Sequence, residues 1–159
     1  MSRSKSTPVR QAALDPKYNS VLVTKIINRS MRDGKKNAAR KQVYNALDIV
    51  SSTLRRDAME ILEEVLRKVS PQMEVRSRRV GGASYQVPMP VRPERSFAVA
   101  VRWLVIEANK RSNSTYHSYA EKLAAEMMDA LKEEGGTFAK KITTHKMADA
   151  NKAFAHFRW

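Results

Sequence analysis

Five arginines, Arg76, Arg78, Arg79, Arg92 and Arg95, crowd into the stretch EVRSRRVGGASYQVPMPVRPER at residues 74–95. Glu74 and Glu94 are its only acids, Gly81-Gly82 marks a turn in its middle, and Tyr85 follows the turn. A guanidinium is a planar fork that pairs with phosphate through two bonds and stacks on bases. Arginine at this density therefore suits an anionic polymer, and a nucleic acid fits best. The bland reading is an edge strand guarded by charge, for which lysine is the usual residue. Tyr85 can stack on a base or pack across the ribbon on an aliphatic neighbour; the sequence leaves both open. A second basic group surrounds Gly34: Arg32, Lys35, Lys36, Arg40 and Lys41. It reads equally as a phosphate-facing turn or as a solvated helix face.

Other chemistry is sought and not found. A phosphate loop needs a glycine five residues before its Gly-Lys pair and Ser or Thr after it. Gly34-Lys35 has Arg29 and Lys36 in those places. A nucleophile elbow needs Gly-x-Ser-x-Gly, and Gly82-Ala83-Ser84-Tyr85-Gln86 lacks the second glycine. His117, His145 and His156 have neither cysteines nor a clustered carboxylate pair beside them. The expectation is no catalytic residue, no metal ligand and no cofactor.

The elements that must position these cations belong to one domain. The chain has 159 residues, with 30 Lys and Arg against 16 Asp and Glu, a net charge of +14. Such an excess calls for a polyanion. The charge alternates along the chain. Segments 1–41, 67–95, 96–118 and 135–159 carry +9, +5, +2 and +4, while 42–66 and 119–134 carry −3 each. That pattern predicts one side for the polyanion and another for solvent or protein. No apolar run is long enough to span a bilayer. The basic start MSRSKSTPVR has no apolar stretch behind it and does not read as a secretory signal. The absence of cysteine excludes disulfides and fits a reducing compartment.

Residues 1–16 read as an extended basic tail, disordered when alone, and 17–159 as a single mainly α domain. Asn19 or Ser20 caps a first helix carrying Leu22, Val23, Ile26, Ile27 and Met31, stopped by Gly34. A second helix carries Ala39, Val43, Ala46, Leu47, Val50 and Leu54 on one face. Asp57 and Glu60 resemble a capping box opening a third, which Pro71 ends. An arm over 73–91 alternates with period two around Gly81-Gly82. Pro88 and Pro90 forbid a central strand, so it is a hairpin with free edges and little apolar surface to bury. Pro93 opens a fourth helix, the expected most buried one, with Trp103 in the core. A polar loop at 110–115 precedes a fifth helix over about 115–134, with Tyr116, Tyr119, Leu123, Met127 and Leu131 inward. Gly135-Gly136 is the expected C-cap of that helix. A sixth spans much of 138–156.

The strings DPKYNSVLVTKIINRSMRDGKK, VRSRRVGGASYQVP, VRPER, RWL and THKMADANKAFAHFRW occur in this order after the tail. Together they resemble the small-subunit ribosomal protein seven family over almost the whole chain. The resemblance implies a domain of about six helices with a protruding β-hairpin between the third and fourth. It implies binding to the 3′ major domain of small-subunit ribosomal RNA, early in assembly of the head. It places the protein beside the exit-site tRNA and the mRNA path, with the ninth and eleventh small-subunit proteins as neighbours. On this basis Arg3, Lys5, Arg10, Lys35, Lys36, Arg76, Arg78, Arg79, Arg92, Arg95, Arg102, Lys110 and Arg111 are expected to face ribosomal RNA. Gly81, Gly82, Ala83, Ser84, Tyr85, Lys140 and Lys141 are expected near the exit site. Two departures stand out: Pro90, where the family usually has an acid, and Ile142-Thr143-Thr144, where it usually has a longer charged run. The compact length, stopping at Arg158-Trp159, fits a bacterial cytoplasmic ribosome, or that of a plastid or mitochondrial matrix.

The alternative is a helical DNA-binding or nucleoid-type protein, whose recognition helix would present base-reading side chains. Here the cations sit on tail, turns and ribbon, which suits irregular RNA better. An RNA-processing enzyme would need a cofactor loop or an acid–base cluster, and neither is visible.

Overall fold

The structure, a computed structural model, describes residues 13–157. Six α-helices, a two-stranded hairpin and a C-terminal 3₁₀ turn follow one another: α1 (Val21–Ser30), α2 (Lys36–Leu54), α3 (Ala58–Val69), β1 (Met73–Val80), β2 (Ala83–Pro90), α4 (Pro93–Lys110), α5 (Tyr119–Leu131), α6 (Gly135–Ala150) and the 3₁₀ turn Lys152–Phe157. The fold is mainly helical, with the hairpin between the third and fourth helices as the sequence predicts.

Local signals set most boundaries. The Ser20 hydroxyl accepts the Leu22 N–H, capping α1. The Asp57 carboxylate accepts the N–H groups of Met59 and Glu60, capping α3. Pro93 stands in the first turn of α4, where its missing N–H costs nothing. Before α1, Asp15 is buried and accepts the N–H groups of Lys17 and Tyr18 and the Tyr44 hydroxyl, which ties this segment to α2.

The core is aliphatic. Val23, Ile26 and Ile27 meet Val43, Leu47 and Val50 of α2, Ile61, Leu62 and Val65 of α3, and Leu104 of α4. Each such side chain contributes about 1.5–3 kcal/mol on burial. The centre is α5 rather than α4: eight of its 13 residues are buried, against six of 18 in α4, and α2, α3, α4 and α6 all pack against it. Ala120, Ala124, Ala125 and Ala130 of α5 are buried, and their small side chains admit neighbours on several faces. Trp103 lies half-buried at the edge of the core.

Four boundaries differ from expectation. Helix α1 ends at Ser30, and Gly34 lies in the turn beyond it. Helix α5 starts at Tyr119, because the Ser118 hydroxyl accepts the Glu121 N–H while the Glu121 carboxylate accepts the His117 N–H. It ends at Leu131, so Gly135-Gly136 begins α6 instead of capping α5. A Cβ at Gly136 would lie 2.7 Å from the Glu107 carboxylate, so glycine lets this turn reach α4 without displacing that side chain. Finally, α6 stops at Ala150, and the chain continues to Phe157 as the 3₁₀ turn.

The hairpin is antiparallel, with Arg76 opposite Val87 and Arg78 opposite Tyr85. Gly81 and Gly82 both have positive φ, 57° and 91°, the requirement of a two-residue turn matching strand twist. The expectation of a ribbon with little to bury is overturned. Helix α6 packs on both strands and the 3₁₀ turn on β2. Val87 and Pro88 are buried, and the Tyr85 ring lies 5.4 Å from Phe154 and 5.2 Å from Phe157. At the tip, Gly81–Ser84 is exposed.

Candidate nucleic-acid interface

At the base of the hairpin a single carboxylate organises two arginines. Glu74 accepts Arg76 Nε at 2.5 Å and Arg95 Nε at 2.8 Å. Its side chain is 13% exposed, against 49% and 54% for the arginines. Burial pushes the Glu74 carboxyl up, but hydrogen bonds from Arg95 and Arg76 outweigh it and hold the group below the usual carboxylate range. Both pairs are made through Nε. Arg92, just before α4, is exposed beside them.

The β1 arginines divide between two faces. Residues directly opposite in an antiparallel pair share a face. Arg76 and Arg78 therefore share one with Val87 and Tyr85, while Arg79 lies with Ser84 on the other. Arg79 is exposed, whereas Arg78 is half-buried. Lys35 and Lys36 are exposed at the turn into α2, and Arg102 is exposed on α4.

Beyond Arg76 and Arg95, four of the sequence-predicted cations also have partners within the protein. Arg111 pairs with the buried Glu126 at 2.7 Å and with Asp129, and donates to the Tyr116 hydroxyl. Its charged form is favoured well above the usual arginine value: burial opposes this, but the hydrogen bonds it donates to Asp129 and Glu126 prevail. Lys110 and Lys140 both pair with Glu107, at 3.0 and 2.8 Å. Lys141 donates to the Lys68 carbonyl at 2.5 Å. Arg3, Lys5 and Arg10 lie outside the described residues. Gly81, Gly82, Ala83 and Ser84 form the exposed tip; Tyr85 is half-buried on the C-terminal phenylalanines, a contact neither sequence reading named.

The residues sequence reasoning missed are acids: Glu74, Glu107 and Glu126 position the cations around them. An acid beside a run of arginines, as Glu74 is, is a legible signal for such a role; Glu107 and Glu126 meet their partners only through the fold. The histidines are dispersed. His145 Nε2 accepts the Gln72 N–H at 3.1 Å, and the His156 ring lies against Phe157. Among the described residues no group of three His, Asp or Glu side chains converges on one point, and no helix is long and apolar enough to cross a membrane.

Cations held by turns, a hairpin and positioning acids around an aliphatic helical core define a class: a helical protein with a basic working surface. Residues 2–152 match the model of the ribosomal protein S7p/S5e family. The chain is 53% identical to the small ribosomal subunit protein uS7 of Caldanaerobacter subterraneus subsp. tengcongensis and 53% identical to that of Carboxydothermus hydrogenoformans. It is 49% identical to that of Mesomycoplasma hyopneumoniae. Each match spans 159 residues and the full length of both chains. The chain belongs to the ribosomal protein S7p/S5e family, a family of structural proteins of the ribosome.

Proposed function

We propose that this chain is a structural constituent of the small ribosomal subunit that binds the 3′ major domain of its ribosomal RNA and nucleates the head. The observation that carries this reading is the full-length match to small-subunit proteins at about half identity. The interface supports it: Arg76 and Arg95 are aimed by Glu74, with exposed Arg92 beside them and exposed Arg79, Lys35, Lys36 and Arg102 elsewhere on the surface. The basic residues Arg3, Lys5 and Arg10 add reach along the RNA backbone. The exposed Gly81–Ser84 tip lies toward the exit-site tRNA and the mRNA, and the ninth and eleventh small-subunit proteins are its protein neighbours. The ribosome is that of a bacterial cytoplasm.

Gradient sedimentation of a lysate tests this. The chain should travel with small subunits and stay there through a high-salt wash. A position among free low-mass proteins would defeat the reading. Binding to a transcript of the 3′ major domain, with little binding to a 5′-domain transcript of equal length, tests the finer claim.

A further inference from the structure

The fold gathers a recess that no single stretch of sequence displays. It lies where the end of α1, the start of α2, the end of α4 and the start of α5 meet, and it holds about 260 Å³. That is below the ~300–1,000 Å³ typical of cofactor clefts, so it suits one flat ring system. Ala38, Gln42, Asn109 and Tyr119 line it, with Arg32 and Lys35 as its cations.

Its polar groups are fixed in advance. The Tyr119 and Ser30 hydroxyls share a hydrogen bond of 2.8 Å. The Asn109 side-chain N–H₂ donates to the Val105 carbonyl, and its oxygen accepts from Arg32 at 3.1 Å. The Gln42 oxygen accepts the Ala120 N–H at 3.1 Å. A backbone N–H requires the oxygen of that amide, so the orientation of Gln42 is settled. Its nitrogen is left as a donor at the recess, with no acceptor among the described residues. Ala38 is small and exposed, which leaves the mouth open. Apolar walls, one oriented donor and two cations are complementary to a base with its phosphates.

We propose that this recess receives one unpaired base of bound ribosomal RNA, extruded from its stack, with its flanking phosphates on Arg32 and Lys35. The proposal rests on the ribosomal RNA reading above. Protein recognition of RNA sequence works largely through such splayed-out bases, read by stacking and by hydrogen bonds to their edges. The Gln42 donor selects a base presenting an acceptor edge, and the phosphate contacts set its register.

Two substitutions test it. Ala38→Phe fills the recess from an exposed position and removes no cation. Gln42→Glu is nearly isosteric, keeps the acceptor for the Ala120 N–H and removes the donor. Each variant and the parent chain are titrated with the 3′ major domain transcript across a salt series. The Watson–Crick edges of all four bases are then probed chemically in the complexes. Ala38→Phe should weaken binding on the order of tenfold, with an unchanged salt slope, because no phosphate contact is lost. One base protected by the parent chain should become reactive in both variant complexes while the backbone footprint persists. Parent-like affinity and footprint in Ala38→Phe would overturn the recess and leave the RNA reading standing. Weaker binding with no base re-exposed would also overturn it, as simple obstruction of the surface. Failure of the parent chain to bind the transcript would remove both readings.

Discussion

Replacing Glu126 with Ala should be among the costliest single changes in this protein. The Glu126 side chain is 2% exposed and accepts from Arg111 Nε at 2.8 Å, from the Thr137 N–H at 2.8 Å and from the Thr137 hydroxyl at 2.5 Å. It thereby joins the 110–118 loop, α5 and the first turn of α6. Removing one partner of a buried pair costs about 3–5 kcal/mol. Arg111 keeps Asp129, so its share lies at the low end. Thr137 is fully buried, and two of its polar groups lose their acceptor, at about 1–3 kcal/mol each where water does not replace it. These terms overlap, and the net expectation is about 4 kcal/mol. At about 2–4 °C per kcal/mol for a chain of this size, the melt should fall by roughly 8–16 °C. Glu126→Gln keeps an acceptor for Thr137 and should cost about half as much. Asp129→Ala, at a site whose side chain is 34% exposed, should cost least. Thermal melts by circular dichroism give this order directly, and hydrogen exchange at the Thr137 amide shows whether α6 loosens. A Glu126→Ala melt within about 1 kcal/mol of the parent would refute the reasoning. So would an Asp129→Ala variant equally damaged, because the pair would then not depend on burial.

Glu74 and Glu107 should shape the acid limb of stability. For each, burial pushes the carboxyl up, but the hydrogen bonds and charges of its two cations hold it below its ordinary value of 4.5. The unfolded chain then takes up the proton first, so their contribution is full above that value and is lost as pH falls through the folded one. Denaturant midpoints from pH 7 to 3 should fall less steeply in Glu74→Gln than in the parent. Glu74→Gln also separates charge from positioning in RNA binding. Simple attraction predicts tighter binding once the acid is gone, whereas positioning of Arg76 and Arg95 predicts weaker binding at equal salt. Weaker binding in filter titrations is the expected result. Gly136→Ala should destabilise the fold by about 1–3 kcal/mol, because the new Cβ meets Glu107 at 2.7 Å; an unchanged melt would show that Glu107 moves aside freely. Replacing both Lys35 and Lys36 with Ala should weaken RNA binding and lower the salt slope by about 1–2. An unchanged slope would mean the pair does not touch phosphate.

Helix existence was legible because α1 through α5 each carry an apolar stripe at helical spacing, and Ser20, Asp57, Pro71 and Pro93 mark ends by local chemistry. The hairpin was legible for the same reason: period two on either side of Gly81-Gly82 has one simple solution. What failed was decided across the fold. Gly135-Gly136 has the look of a C-cap, yet its role is to let α6 approach the Glu107 carboxylate. The Ser118–Glu121 cap was present in the sequence but masked by Thr115 and Tyr116, which extend the apparent stripe. The burial of Tyr85 depends on Phe154 and Phe157, about seventy residues away, and no pattern within the arm announces them. The candidate site divides in the same manner. Exposed Lys35, Lys36, Arg79 and Arg92 stand in basic clusters that the sequence displays, whereas the internal use of Arg111 and Lys140 could not be read there.

A net charge of +14 overstates what a partner meets and understates how well it is aimed. Glu74, Glu107 and Glu126 between them engage Arg76, Arg95, Lys110, Lys140 and Arg111. The effect is not the same at each. Around Glu126 the cation is 16% exposed and its charge is consumed in holding loop and helices together. Around Glu74 the arginines stay about half-exposed, and the acid fixes their direction while cancelling only one of two charges. Holding a long side chain in advance lowers the entropy lost when it meets a phosphate. The same logic extends to the arm as a whole. Because Val87 and Pro88 are buried and Tyr85 packs on the C-terminal 3₁₀ turn, the hairpin is anchored along most of its length. Its arginines are carried by a braced element rather than by a free ribbon waiting for RNA to order it. Deleting the segment from Gly81 to Val87 would therefore remove part of the packing along with the tip, and only Gly81–Ser84 can be altered as tip alone.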